Sequence, residues 1–434
     1  MALGGGSFLT QNKVLPGAYI NFVSAARASA TLSDRGVVAL PIALNWGKEG
    51  EVFTVTSEDF QKNSMKILGY DYSASELMPF REIFLNAVKV HVYNLNSGGV
   101  KATGSLATAR YAGTRGNDLK YVVITNVDDE SKYDVSLYMG STKVDSQTVA
   151  SSAELVDNEY VVYNKEAQLT LTAGTPLTGG TNGSELSGAS YQKALDSLES
   201  YNFNTLVCPS KESSVIALFV AYTKRMRDQV GVKFQTVVYQ TAADYEGVIS
   251  LENSVEGDND IALVYWTAGA SAGCEVNKSN TNKRYDGELN IDCNYTQPEL
   301  EAGILAGKFM FHKVEDEVRV LTDVNTFVSF TDVKGEDFSS NQVIRVIDQC
   351  GNDTARIFNN KYLGKVQNDK SGRVSFWGDI VAHRKQLQTI RAIEDYNSDE
   401  LIVEQGESKK AVAVTEALKP TVAMEKLYMT TVIS

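Results

Sequence analysis

The chain has 434 residues, of which 43% are hydrophobic and 22% are charged, so it is long and apolar enough to form two or three globular domains. Its 54 aspartates and glutamates outnumber its 41 lysines and arginines, which gives a formal net charge of -13. Because phosphate binding requires a basic surface, this charge argues against nucleic acid as a partner.

The sequence gives no sign of membrane insertion, metal binding or redox chemistry. The N-terminus lacks the basic start and apolar run of a signal peptide, and apolar runs such as 215–222 are too short to cross a bilayer, so we expect a cytosolic protein. The cysteines are widely spaced, with no C-x-x-C pair and no histidine near them, so we expect four reduced thiols. They are Cys208, Cys274, Cys293 and Cys350.

Residues 1–22 are predicted to form an N-terminal arm. Gly4, Gly5 and Gly6 make its first part flexible, and a turn at Pro16 and Gly17 precedes a short extended piece. An ordinary strand of the chain's own sheet is the alternative. The predicted subunit-linking residues of this arm are Val14, Tyr19, Ile20 and Phe22.

Residues 23–100 are predicted to begin an α/β main domain. Short apolar runs at 37–44, 52–55 and 88–93 are typical of buried strands, and residues 77–85 are predicted to form a helix.

Over residues 101–178 the pattern changes to strands alone, which indicates a β-sandwich or barrel inserted into the main domain. The predicted strands are 120–127, 133–139, 143–149, 160–163 and 168–172.

Residues 179–403 return to alternating helices and strands, which predicts the second part of the main domain with crossover helices. The predicted helices are 191–201, 213–230 with Ser213 as its cap, 261–274, 297–307, one from 340, and 371–395. The predicted strands are 205–208, 233–238, 248–251 and a hairpin over 309–324.

Residues 404–434 are predicted to be a polar linker followed by a C-terminal arm. The strand-like runs 411–415 and 422–433 flank Pro420, and both faces of the second run are mostly apolar, so it would need partners on its edges and faces. An ordinary strand of the chain's own sheet is again the alternative. The predicted subunit-linking residues are Val412, Val414, Val422, Met424, Leu427, Tyr428, Met429 and Val432.

The sequence contains no convincing catalytic or cofactor-binding motif. Residues 174–179 have phosphate-loop spacing, but Gly180 and Thr181 stand where Lys and Ser or Thr are required. The acidic triplet 258–260 lacks the glycine and the distal glutamate of a calcium loop. We therefore predict no catalytic residue, no metal and no cofactor, and a protein that is not an enzyme.

Several short segments along the chain are distinctive through their order and spacing. They are 16–22 (PGAYINF), 35–41 (RGVVALP) with Trp46 and Gly47 soon after, 109–117 (ARYAGTRGN), 177–183 (LTGGTNG), 341–348 (NQVIRVID), 362–369 (YLGKVQND) and 423–429 (AMEKLYM). In this order they resemble contractile tail sheath proteins of bacteriophages and of phage-derived particles such as R-type bacteriocins and defective prophages. Within the β domain, the resemblance is limited to the pattern of strands and turns.

The resemblance implies a mixed α+β subunit, an α/β main domain with an inserted all-β domain and extended N- and C-terminal strand arms. Such subunits stack as six-membered rings in a helix around an inner tube, their arms add strands to sheets of neighbouring subunits, and the sheath contracts to drive the tube through a bacterial envelope. The implied partners are other copies of the chain, the tail tube protein, the baseplate and the tail terminator. The particle would be assembled in the bacterial cytoplasm.

The resemblance also suggests roles for individual residues. Gly4, Gly5, Gly6 and Gly406 are predicted hinges of the arms. The late helices are expected to face the tube and the β domain to face outward. The predicted contacts to an acidic tube are Arg373, Arg384, Lys385 and Arg391, with an ordinary solvated helix face as the alternative. Another structural protein of the particle, such as its tube or baseplate, and a cytosolic α/β enzyme are the competing interpretations.

Overall fold

The computed structural model describes residues 32–183, 186–257 and 259–433, which form two compact units. The body contains residues 34–349 and 420–433 of this described part, and the helical unit contains residues 32–33 and 350–419. Within the described part, every helix is too short or too polar to cross a membrane.

The helices are α1 (Ser57–Leu68), α2 (Met78–Phe84), α3 (Gly188–Leu198), α4 (Ser213–Arg225), α5 (Leu263–Gly273), α6 (Gln297–Leu305), α7 (Asn341–Ile357) and α8 (Lys370–Thr389). The strands are β1 (Val37–Ile42), β2 (Val52–Thr56), β3 (Lys89–Asn94), β4 (Lys101–Thr103), β5 (Ala107–Ala112), β6 (Leu119–Thr125), β7 (Tyr133–Met139), β8 (Thr142–Val149), β9 (Val161–Tyr163), β10 (Thr172–Pro176), β11 (Thr205–Val207), β12 (Gln235–Tyr239), β13 (Val248–Leu251), β14 (Lys308–Phe309), β15 (Phe311–Val314), β16 (Glu317–Val320), β17 (Ile402–Gln405) and β18 (Val412–Thr415).

Seven strands of the body form one sheet in the order β14-β13-β12-β11-β1-β3-β2. Neighbouring strands are parallel except for β2, which runs antiparallel to β3. In β1, Val38 pairs with Thr205 of β11 on one side and with Val90 of β3 on the other. Parallel neighbours need long crossover connections, which explains the alternation of helices and strands in the sequence.

A separate apolar core covers each face of this sheet. In β12, Val237 belongs to the core that contains Trp266 of α5, whereas Val238 belongs to the core that contains Phe219 of α4. Successive residues of a strand point to opposite faces, so every residue of β12 is buried. Burial on both faces explains why these strands read as continuous apolar runs.

An all-β domain is inserted between β3 and α3. Two antiparallel sheets, β10-β6-β7-β8 and β4-β5-β9, share one apolar core that includes Tyr121, Leu137 and Tyr163. The chain then returns to the seven-stranded sheet at β11. The predicted mixed α+β fold class, with a β domain inside an α/β domain, is confirmed.

The helical unit is built around the end of α7, the helix α8 and the antiparallel hairpin β17-β18. Its apolar core contains Ile357, Tyr362, Phe376, Ile380 and Leu401, all buried. Asp369 begins α8 as its N-cap, because its carboxylate accepts a hydrogen bond from the Gly372 amide at 2.8 Å.

The sequence prediction missed or displaced some elements. Helix α1, whose N-cap Thr56 accepts a hydrogen bond from the Asp59 amide, and strands β4 and β5 were not predicted. The strand predicted at 168–172 lies at 172–176. Ser213 is the first residue of α4 rather than its cap, which is Glu212.

Candidate subunit-linking site

The C-terminal segment leaves the body with its apolar side chains in solvent. Met424, Leu427 and Tyr428 are fully exposed or nearly so, at 101%, 86% and 89%. Val422, Met429, Val432 and Ile433 are also exposed. The sequence predicted a strand here, but residues 422–433 pair with no strand of the described chain. Their backbone groups therefore need partners from elsewhere to form a strand.

Three hydrogen bonds fix the point at which this segment leaves the body. Glu425 accepts hydrogen bonds from the hydroxyls of Thr281 at 2.6 Å and Thr322 at 2.9 Å, and the Ala423 amide donates to the Gln342 side chain at 2.9 Å. After Glu425, every described residue as far as Ile433 is exposed. About eight residues extend from there, with a reach of roughly 26 Å at ~3.3 Å per residue.

The predicted linker 404–410 is not a free linker, because it forms the turn of the β17-β18 hairpin. The Gly406 amide donates to the Ala411 carbonyl at 2.9 Å, and the Ala411 amide donates to the Ser408 carbonyl at 3.0 Å. A bend at Gly406 would therefore move the tip of a hairpin and not the C-terminal segment. The structure therefore places Gly406 in a hairpin turn, and a hinge at this glycine stays a prediction.

The structure also corrects the assignment of Val412 and Val414 to a free arm. In the described chain they lie in β18, where Val412 pairs with Gln405 and Val414 with Val403. Val412 further packs against the apolar core of the helical unit. The sequence prediction divided residues 402–405 between the end of the main domain and the start of the linker, so the partner strand of β18 was missed.

The hairpin offers an acceptor for a further strand. Within the described residues its sheet has two strands, so each of them keeps one unpaired edge. A cleft of about 100 Å³ lies beside β18. Its lining includes the apolar side chains of Phe358, Tyr362, Leu363, Val366, Phe376 and Val412. The cations Arg373 and Lys410 also line it.

The four predicted tube contacts differ in accessibility. Lys385 and Arg391 are exposed, whereas Arg373 is partly buried and donates to the backbone and side-chain oxygens of Asn368 at 3.0 and 3.1 Å. Arg384 is 2% exposed, which argues against its predicted contact with the tube. The pattern of polar and apolar residues in α8 did not reveal this burial. The partners of Arg384, Thr354 and Glu416, lie about 30 residues away on either side in the sequence.

Arg384 is held by a buried set of hydrogen bonds. Its guanidinium donates to both carboxylate oxygens of Glu416 at 2.6 and 3.1 Å and to the Thr354 hydroxyl at 2.9 Å. Burial, the largest single effect, would lower the pKa of Arg384, but the hydrogen bonds to Glu416 and the attraction of nearby Cys350, Glu416 and Tyr396 together raise that pKa above its ordinary value. Arg384 is therefore a structural cation.

The predicted N-terminal arm residues Val14, Tyr19, Ile20 and Phe22 lie outside the described residues, and so do the predicted hinges Gly4, Gly5 and Gly6.

The described part of the chain contains no cluster of three or more His, Cys, Asp or Glu side chains that could hold a metal ion. One buried acid is Glu82, which accepts hydrogen bonds from the Tyr285 hydroxyl at 2.9 Å and the Glu288 amide at 2.8 Å. Burial raises its pKa above the ordinary value. These contacts join α2 to the segment after α5, which is a structural role.

Models of phage tail sheath domains match four consecutive segments of the chain. They are described as the domain III N-terminal region of tail sheath protein Gp18 (35–95), the phage tail sheath beta-sandwich domain (97–182), the central domain (184–326) and the C-terminal domain (333–434). All four belong to structural proteins of phage tails.

Relatives and solved structures agree with these matches. The phage-like element PBSX protein XkdK of Bacillus subtilis (strain 168) is 32% identical, over 98% of this chain and 99% of that protein. Crystal structures of sheath tail proteins from Desulfitobacterium hafniense and Listeria innocua are 36% and 32% identical, with TM-scores of 0.82 and 0.80. They cover 95% and 93% of this chain, and the match spans 99% and 97% of theirs.

The helical sheath of the anti-feeding prophage in its contracted state shares the fold at 12% identity and a TM-score of 0.54, over 96% of this chain and 99% of that one. The chain belongs to the phage tail sheath protein family, and it is a structural protein of a phage or phage-like tail rather than an enzyme.

Proposed function

We propose that the chain is the subunit of a contractile sheath, which polymerises as helically stacked six-membered rings around an inner tail tube. Its contraction drives the tube through a bacterial envelope. The partners are other copies of the chain, the tube, the baseplate and the tail terminator, and assembly takes place in the bacterial cytoplasm.

The exposed C-terminal segment carries this proposal. Leu427, Tyr428 and Met429 are large apolar side chains in water, on a stretch of backbone without a strand partner in the described chain. Full burial of one such side chain contributes about 1.5–3 kcal/mol. Covering three of them at another subunit would therefore contribute several kcal/mol, which is enough to hold a repeating link.

The β17-β18 hairpin supplies the complementary surface. A strand added to the free edge of β18 would place alternate side chains over the cleft lined by Phe358, Leu363 and Val366. The donor segment belongs to the body and the acceptor edge to the helical unit, so each copy can both give and receive a strand. Contacts of this head-to-tail kind produce open helical polymers.

Contraction then needs no nucleotide or cofactor. The subunits would be assembled in a high-energy packing and would rotate as rigid bodies into a second set of interfaces, while the main-chain links persist. The close packing of the two body cores, where Val237, Val238 and Trp266 are fully buried, favours rigid-body motion over internal rearrangement.

Serine substitutions in the donor segment test the proposal. We expect Leu427→Ser with Met429→Ser to abolish sedimentable polymer and to leave the unfolding midpoint of the monomer unchanged, because the two side chains are 86% and 77% exposed. The control is Val127→Ser with Val156→Ser, which alters two exposed apolar residues of the β domain. Polymer formation by the Leu427/Met429 variant at the level of the control would refute the proposal.

The accessible cations of the helical unit remain the proposed tube contacts. We expect Lys385→Glu with Arg391→Glu to lower assembly on the inner tube, because both side chains are exposed and a tube surface of acidic character would repel the new charges. Cosedimentation with purified tubes measures the effect. Unchanged binding to the tube at low salt would show that Lys385 and Arg391 do not contribute to the tube contact.

A further inference from the structure

The helical unit contains a buried polar network that runs from the first described residues of the chain to the end of the β17-β18 hairpin. It consists of Ser33, Asp353 of α7, His383 and Arg384 of α8, and Glu416 just after β18. Asp353, His383 and Arg384 are at most 2% exposed.

Geometry fixes the direction of each hydrogen bond in this network. An arginine has donors only, so the Arg384 guanidinium, 2.7 Å from Nδ1 of His383, donates to that nitrogen. The other ring nitrogen of His383, Nε2, then carries a proton and donates to Asp353 Oδ2 at 2.8 Å. Asp353 Oδ1 accepts from the Ser33 hydroxyl at 2.6 Å.

Each end of the network is held by more than one hydrogen bond. At one end, the Ser33 amide donates to Asp353 at 3.2 Å and the Leu32 amide donates to Gln386 of α8 at 3.3 Å. At the other end, both oxygens of Glu416 accept from Arg384. Helix α8 therefore contacts the start of the described chain and the exit of the hairpin within four consecutive residues, 383–386.

We propose that this network fixes Leu32 and Ser33, which follow the predicted N-terminal arm in the sequence, relative to the hairpin that receives strands from other copies in the proposed function. The assignment of its two ends to the linking machinery rests on the proposed function. A buried charge without its partner is costly, so the network stabilises one arrangement and disfavours partial ones. Movement of one end would remove a hydrogen bond from the buried Asp353 or Arg384, and the shift would be transmitted through His383 to the other end. His383 and Arg384 act as positioning residues and touch no partner themselves.

Hydrogen–deuterium exchange on the full-length protein tests this connection at each end. We expect Glu416→Gln to accelerate exchange of the Leu32 and Ser33 amides about tenfold, the change expected for loss of a charge-assisted hydrogen bond. We expect Ser33→Ala to accelerate exchange of the β18 amides about threefold, because it removes one hydroxyl donor. The matched control is Glu404→Gln, an exposed carboxylate of β17, which should leave both ends unchanged.

Faster exchange only at the end that carries each substitution would overturn the proposal. If Glu416→Gln does not fold, the Ser33→Ala variant alone still tests whether the two ends are connected. Because exchange is measured on single subunits, this outcome is independent of polymerisation. A wild-type chain that formed no polymer would refute the proposed function while the exchange result still decided whether the two ends are connected.

Discussion

Thr322 donates its hydroxyl proton to Glu425 at 2.9 Å, and this contact joins residues 103 positions apart. With the matching bond from Thr281, it fixes the position from which the exposed C-terminal segment departs. The Glu425 carboxylate, held by two threonine hydroxyls, therefore anchors the C-terminal segment to the body.

Glu425→Ala should weaken polymer formation while the body stays folded. Loss of two hydrogen bonds to a partly exposed carboxylate should cost about 1–2 kcal/mol of local anchoring, so the arm would leave the body in many directions. We expect a critical concentration for polymerisation about tenfold higher, measured by sedimentation. Glu407→Ala, which alters an exposed carboxylate of the hairpin turn, is the control and should match the wild type.

Arg227→Ala should destabilise the body strongly. Its guanidinium donates to both oxygens of Asp348 at 2.6 and 2.8 Å, and the two side chains are 3% and 10% exposed. The substitution would leave the Asp348 carboxylate unpaired in the interior, at a cost of about 3–5 kcal/mol. Urea unfolding measures this free energy.

Arg225→Ala is the matched control for that change. Arg225 forms an ion pair with Glu199 in which both side chains are more than one-third exposed, so its removal should cost no more than about 1 kcal/mol. Equal losses of unfolding free energy in the two variants would contradict the view that burial makes the Arg227 pair important.

Gly113→Ala should disturb the junction between the β domain and the rest of the body. Gly113 has a φ of +127°, and an added Cβ atom would lie 2.0 Å from the Asn45 carbonyl oxygen. We expect a loss of more than about 3 kcal/mol in unfolding free energy. Gly140→Ala, with a φ of +61° and no atom near its Cβ, should cost about 1–2 kcal/mol. A Gly113 variant no less stable than the Gly140 variant would refute the steric argument.

Strong periodicity explains which parts of the fold were predictable. The predicted bounds of β7 and β13 are those observed, because short apolar runs between turns fix them. Helix α1 was missed because its sequence, SEDFQKNSMKIL, is mostly polar and buries Phe60, Ser64 and Leu68 as a narrow stripe. Its start depends on the Thr56 cap, which also ends a strand.

The site was predictable where it depends on local pattern and not where it depends on distant partners. The apolar residues from Val422 to Ile433 were recognised as chain without a core, and they are exposed. The β17-β18 hairpin was not recognised, because the polar turn of a hairpin and a polar linker have the same composition. The burial of Arg384 depends on Glu416 and Thr354, which sequence spacing does not bring together.

Electron microscopy of the polymer tests the central claim most directly. With the inner tube protein present, we expect the full-length chain to form a striated sheath in which residues 427–433 of each subunit pair with the β17-β18 hairpin of another, and a chain truncated after Lys426 to remain as folded single subunits. Formation of the same sheath by the truncated chain would contradict the account.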